Sequence, residues 1–219
     1  MSLLRKHWFD LGLLFAVLAS LLVGVRFGQL NDLQLLLWIS LITLWLHQFE
    51  EYRYPGYFPG MMNKVMFQSE QPDRYPLNTN TSLVVNVYIG WSLYLLAALL
   101  AEHAIWLAMA SILVSFGNVL AHTFMFNIRG RTAYNPGMAT AIILFLPLTV
   151  GFFYLIHDRH LVSPLDYAIG VPFGIALNYV GILKTIDWMK NARTPFIFPQ
   201  RCMPPSHRAN ITAKSRTKS

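Results

Sequence analysis

The sequence predicts an all-α membrane protein, a bundle of six transmembrane helices with both termini cytoplasmic. Three observations carry that prediction. Of 219 residues 55% are hydrophobic and only 12% charged, against roughly 25% charged in soluble domains. Six apolar stretches absorb most of the length and leave no room for a separate soluble domain. The Lys and Arg residues fall almost entirely on one side of the resulting topology.

The expected spans are about 8–25, 32–49, 81–101, 104–126, 136–156 and 165–186, each near the ~17–25 apolar residues that cross the hydrocarbon. The first follows Arg5-Lys6 and runs apolar to Val25. A cleaved signal peptide ending near Val17-Leu18-Ala19 is the competing reading, and the apolar run beyond Ala19 favours a retained helix. The second, from Leu33 to Phe49, is the shortest. Residues 52–80 contain Pro55, Gly56, Pro59, Gly60, Pro72 and Pro76, which break helices. Within them Met61, Met62, Met66 and Phe67 suit a short amphipathic piece in the membrane interface. Asn78-Thr79-Asn80-Thr81-Ser82 signals the start of the third span, and Asn135-Pro136-Gly137 the start of the fifth, with Pro136 at its first helical position.

With six spans, the N-terminus, the 50–80 and 127–135 loops and the C-terminal segment share a side. That side holds fifteen basic residues, and the other only Arg26 and Arg159. The basic-rich side is cytoplasmic, which makes the protein a multi-pass protein of the cell membrane. The membrane domain is expected over 1–190 and a basic, disordered tail over 191–219. The net charge of +7 is concentrated where anionic lipid headgroups would meet it, so membrane lipids are the expected partner and nucleic acid is not. The one cysteine, Cys202, excludes an intrachain disulfide and a thiolate metal cage.

Against this background one pentapeptide stands out. His47-Gln48-Phe49-Glu50-Glu51 ends the second span and puts three ionisable groups on one helical face, Glu50 and Glu51 flanking His47 by about 60° and 40°. Ionisable groups at a membrane boundary are costly and mark function by default. The predicted orientation brings others to the same depth. These are Asn86 in the third span, Asn118 and His122 one turn apart in the fourth, Asn127 and Asn135 around the short inner loop, and Asn178 in the sixth. Lys184 and Asp187 are spaced for a local ion pair.

His47-x-x-Glu50-Glu51 in a small multi-span chain resembles the HXXEE family of bacterial integral-membrane proteins. Asn118-Val119-Leu120-Ala121-His122 and Tyr134-Asn135-Pro136-Gly137 are similar to its other recurring positions, so that the resemblance covers the second to fifth spans, a core of about 33–156. It implies a membrane domain with a polar site and supplies no reaction.

Two neutral imidazoles with carboxylate suit Zn²⁺, or non-heme Fe²⁺ or Mn²⁺. The residues assign His47, Glu50 and His122 as metal ligands, Glu51 as the proton acceptor, and Asn118 as the group orienting His122 or substrate. An open coordination position would hold water for attack on a lipid or other apolar substrate at the cytoplasmic leaflet, making the chain a metal-dependent hydrolase. A metal-free alternative makes Glu50 and His122 a proton-transfer pair that isomerises or cyclises an isoprenoid-like molecule, in a cavity lined from Tyr88, Trp91, Tyr94, Phe116, Phe124 and Tyr134. Two further readings are a non-catalytic carrier, and a structural protein in which Glu50 and Glu51 are solvated beside Arg53 and Lys64. Oligomeric state has no signature.

Overall fold

A computed structural model describes residues 2–205, and their regular structure is helical throughout. Six long rods form: α1 (Ser2–Arg26), α2 (Asp32–Tyr52), α4 (79–100), α5 (105–130), α6 (Met138–Asp158) and α7 (Pro164–Trp188). A short α3 (58–66) lies in the connection between α2 and α4. Wide π-helical turns interrupt several rods, at Val84–Trp91 in α4, Ala121–Met125 in α5, Ala141–Phe145 in α6 and Leu177–Lys184 in α7. Such turns recur at functional positions in helices, and here those of α5 and α6 hold His122 and Phe145.

Local chemistry explains the rod ends. Asn31 opens α2 with a reciprocal capping box to Gln34, and Ser163 opens α7 with one to Asp166. Asn78 starts α4 as its sequence predicts, its side-chain oxygen accepting from the Asn80 and Thr81 amides. At α6 the expectation fails by two residues. Gly137 adopts φ +101° and the helix begins at Met138, which leaves Pro136 in the preceding turn. A tight elbow at Ala101–Ala104 divides α4 from α5.

Four helical stretches are long and apolar enough to cross a membrane: Leu3–Gln29, Thr79–Gly130, Met138–Asp158 and Pro164–Trp188. The second is 52 residues long and contains the elbow, so it comprises both α4 and α5. These rods expose Leu14, Leu18, Leu21, Leu99, Ile143, Val150 and Ile175 among many other large apolar side chains, an inverted surface that a soluble fold would bury. Length, apolarity and exposed surface together mark a membrane protein.

The central rod is α2. It contacts α1, α4, α5 and α6 and buries Ser40, Thr43, His47, Gln48, Glu50 and Glu51. It also runs three residues past Phe49, because the two glutamates belong inside the bundle rather than at its edge.

The connection after α2 departs from expectation. Phe58, Met61 and Met62 are buried in the main core with Tyr52, Leu77 and Phe126, not laid out along an interface, while Phe67 is exposed. Asn63 ties this segment together from a fully buried position. Its amide donates to the Pro72 and Leu77 carbonyls, and its oxygen accepts from the Leu77 amide. The expected disordered tail is, over 191–205, folded back onto the bundle. The Thr79 amide donates to the Phe196 carbonyl, Arg201 donates to the Tyr52 carbonyl at 2.6 Å, and Phe198, Cys202 and Met203 are buried. The rest of the predicted tail, 206–219, lies outside the described residues.

Candidate metal centre

α2 and α5 bring His47, Glu51 and His122 together. One potential ligand atom from each lies within 4.8 Å of the others, and all three residues are buried. Glu51 Oε1 is 3.3 Å from His122 Nε2 and 3.7 Å from His47 Nε2. The two rings stand edge to face with centroids 5.0 Å apart.

Hydrogen bonds decide which nitrogen of each ring is free. His122 Nδ1 lies 2.6 Å from Asn135 Oδ1. The Asn135 amide is already committed, donating to the His122 carbonyl at 2.8 Å and to Asn127 Oδ1 at 2.7 Å. Asn135 therefore offers only an acceptor, Nδ1 carries the proton, and Nε2 holds a lone pair. The same reasoning applies to His47, whose Nδ1 is 2.9 Å from Thr140 Oγ1. The single Thr140 hydroxyl proton goes to Glu50 Oε2 at 2.6 Å in preference to the Gly137 carbonyl at 3.2 Å. His47 Nδ1 is then the donor, and its Nε2 also holds a lone pair. Both Nε2 atoms are buried without a hydrogen-bond partner among the described residues. A pair of desolvated acceptors is costly, and both are bare beside the same carboxylate oxygen.

Glu50 sits differently. Its carboxylate accepts from the Ala139 and Thr140 amides at the start of α6, from the Thr140 hydroxyl, and from the Tyr134 hydroxyl at 2.8 Å. Four donors and the N-terminal end of a helix account for its charge. Burial and then the bond to Glu50 push the Tyr134 phenol up from its ordinary range, which keeps it a donor. The structure thus exchanges the two glutamates of the sequence assignment. Glu51 faces the histidines, and Glu50 fixes the His47 ring through Thr140, a carboxylate–hydroxyl–imidazole relay. The reading of solvated glutamates does not hold either: Arg53 pairs with Asp10 at 3.0 Å and Lys64 with Glu70 at 3.5 Å, while Glu50 and Glu51 are 8% and 5% exposed.

Gly137 supports the second ring. A Cβ there would land on Cε1, Nδ1 and Nε2 of His122, and its φ already lies where side chains are strained. Phe145 packs on His47, while Phe58 and Phe126 pack on His122. The histidines, Glu51 and Thr140 all fall within or beside the segment that matches a known family model, described as a protein of unknown function with HXXEE motif, over residues 38–152. The chain belongs to the HXXEE family. No curated protein and no solved structure matches it. In this HXXEE protein the named histidine and the second glutamate form the cluster, and the first glutamate braces it.

The ligand set fits a metal. Bonds of ~2.0–2.2 Å in tetrahedral arrangement put ligand atoms about 3.3–3.6 Å apart, close to the 3.3 and 3.7 Å from Glu51 to each histidine, with all three ligand atoms within 4.8 Å of one another. A cavity of about 90 Å³ opens beside His47 and Glu51, bounded by Asn118, Tyr94, Asn86 and Gln48. Asn118 donates to the Val114 carbonyl at 3.0 Å and stands near enough to His47 to interact with it without bonding its Nε2. Asn86 bonds Gln48 and Tyr52, and Asn178 spends its amide on the Leu113 and Gly174 carbonyls, so it joins α7 to α5 rather than the cluster. Lys184 and Asp187 pair at 3.6 Å as their spacing predicts. Of the aromatic candidates, Tyr94 lines the cavity, Trp91 bonds Gln48 and Tyr134 bonds Glu50, whereas Tyr88 and Phe124 are more than half exposed. Thr140 carries no signal in the sequence, where it is a lone threonine within the apolar run 138–147.

Proposed function

We propose that this protein is a six-span enzyme of the cell membrane, with cytoplasmic termini, that holds one divalent metal on His47, Glu51 and His122 and hydrolyses a lipid or other apolar substrate at the cytoplasmic leaflet. The observation that carries this reading is the pair of buried, unpartnered Nε2 atoms on either side of Glu51 Oε1. Two imidazoles and one carboxylate suit zinc, and equally iron or manganese. Three protein ligands beside an open cavity are the pattern of catalytic rather than structural sites. A bound ion would lower the pKa of a water and polarise a carbonyl or phosphoryl oxygen.

The chain's own residues divide the remaining work. Glu51 combines ligation with proton acceptance, the two roles that the sequence assigns to different glutamates. Thr140 and Asn135 hold each ring in the tautomer that presents Nε2. Asn118, at the cavity wall, orients the substrate's polar group. The apolar walls formed by Phe58, Phe126 and Phe145 limit water to the cavity.

One observation favours a second reading. The 3.3 Å approach of Glu51 to His122 also suits a proton shared between them, a metal-free acid–base pair for an isoprenoid-like substrate. Protein purified without a histidine tag, with bound metals measured by plasma mass spectrometry, separates the two. Near one equivalent of zinc, iron or manganese in the parent, lost in His47→Ala and His122→Ala, supports the metal enzyme. Absence of metal after growth in zinc-, iron- and manganese-supplemented media, with both variants folded, leaves the acid–base pair.

A further inference from the structure

A second cavity, about 560 Å³, lies between α5 and α7. Its size falls within the range of small-molecule sites. Its outer rim consists of Phe116, Leu120, Ile175 and Tyr179, all exposed on the perimeter of the bundle. Its inner wall is formed by Phe58, Met62, Asn118 and Ile182, and those four residues also line the small cavity beside His47 and Glu51. The groove therefore runs from the apolar outside of the bundle to a wall that it shares with the cavity beside the polar site. The Asn178 amide within it is spent on backbone carbonyls, and Asn118 is the polar group at its inner end.

We propose that this groove holds one acyl chain of a bilayer lipid and presents the adjoining ester or phosphoester to Asn118 and the His47–Glu51–His122 cluster. This rests on the reading of the cluster as a lipid-directed site and adds the substrate's class and route. An acyl chain is the favoured occupant by mass action, since a groove open sideways into a bilayer meets acyl chains at far higher concentration than any other apolar molecule. Apart from Asn118, Asn178 and the rim Tyr179 the lining is apolar, and the Asn178 amide is already spent on backbone carbonyls, so a hydrocarbon chain meets little polar surface along it. The shared wall places the chain's polar end where the orphaned nitrogens are. Entry from the side would let the substrate reach the site without leaving the membrane.

The test uses the full chain in phosphatidylethanolamine–phosphatidylglycerol vesicles doped with a phosphatidylglycerol bearing a photoreactive diazirine on one acyl chain. Crosslinked residues are mapped by peptide mass spectrometry, and bound metal is measured on the same samples. The expected result is crosslinking at the inner positions Met62 and Phe126 as well as at the rim. Ala121→Trp, which fills the groove, and Ile175→Trp, an exposed rim position that leaves the core untouched, should each remove the inner crosslinks, keep those at the rim and leave metal content unchanged. Crosslinks confined to the rim in the parent would overturn the proposal, as would inner crosslinks that persist in both variants, or organic extraction of the purified protein that yields an isoprenoid in place of an acyl lipid. Inner crosslinks that are lost in both variants, in protein without metal, would support the groove and sink the metal reading. Metal without inner crosslinks would do the reverse.

Discussion

The two ends of the bundle treat polar residues in opposite ways. At the end formed by the starts of α2, α5 and α7, polar groups finish helices and pair with one another in the open. Asn31 caps α2 and bonds Glu102 at 3.1 Å, Asp32 meets Arg159 at 3.1 Å, and Asp166 caps α7 and accepts from the Trp106 amide. At the other end His47, Glu51 and His122 are buried. Asn135 and Thr140 orient the two rings, yet the two Nε2 atoms they present are left without a partner among the described residues. Bonding at the first end completes the fold. At the second it ends one ligand short, as expected if an ion is that ligand.

Substitutions should separate the ends in order of effect. His122→Ala or Glu51→Gln should abolish metal binding, read as metal per protein after desalting. Gly137→Ala should cost about 1–3 kcal/mol from its left-handed backbone alone, with further loss from the collision with the His122 ring, seen as a lowered unfolding midpoint in detergent and reduced metal content. Thr140→Val, which keeps the shape and removes the hydroxyl between His47 and Glu50, should weaken metal affinity about 10–100-fold in competition with a chromophoric chelator. Arg159→Ala, at the opposite end, removes an ion pair in which both side chains are more than half exposed. It should change stability by no more than about 1 kcal/mol and leave metal binding untouched. A large effect at Arg159, or none at Thr140, would erase the contrast between the two ends.

Much of this was legible in the sequence. Helix positions followed from apolar run length, and the cap at Asn78 from local hydrogen-bonding chemistry that needs no tertiary context. His47 and His122 could be matched by depth, because an alternating topology fixes which helix halves lie level. The choice between Glu50 and Glu51 could not be made that way. The two carboxylates flank His47 by similar angles, and only the side on which α5 stands decides which one meets His122. Thr140 and Gly137 act by direct contact with rings on other helices, which no periodicity reveals. The burial of α3 and of residues 191–205 was hidden for a related reason. Proline-rich and basic segments look like loops locally, and it takes Asn63, Arg201 and Phe198 meeting distant backbone to hold them in place.

The neighbouring glutamates offer the most direct test of the central claim, since they differ by one position and carry the same charge. Metal titration of Glu51→Gln beside Glu50→Gln, both verified as folded by size exclusion and circular dichroism, should show no measurable binding in the first and weakened binding in the second. Retained metal in Glu51→Gln with complete loss in Glu50→Gln would return the ligand role to Glu50 and contradict the site described by the structure.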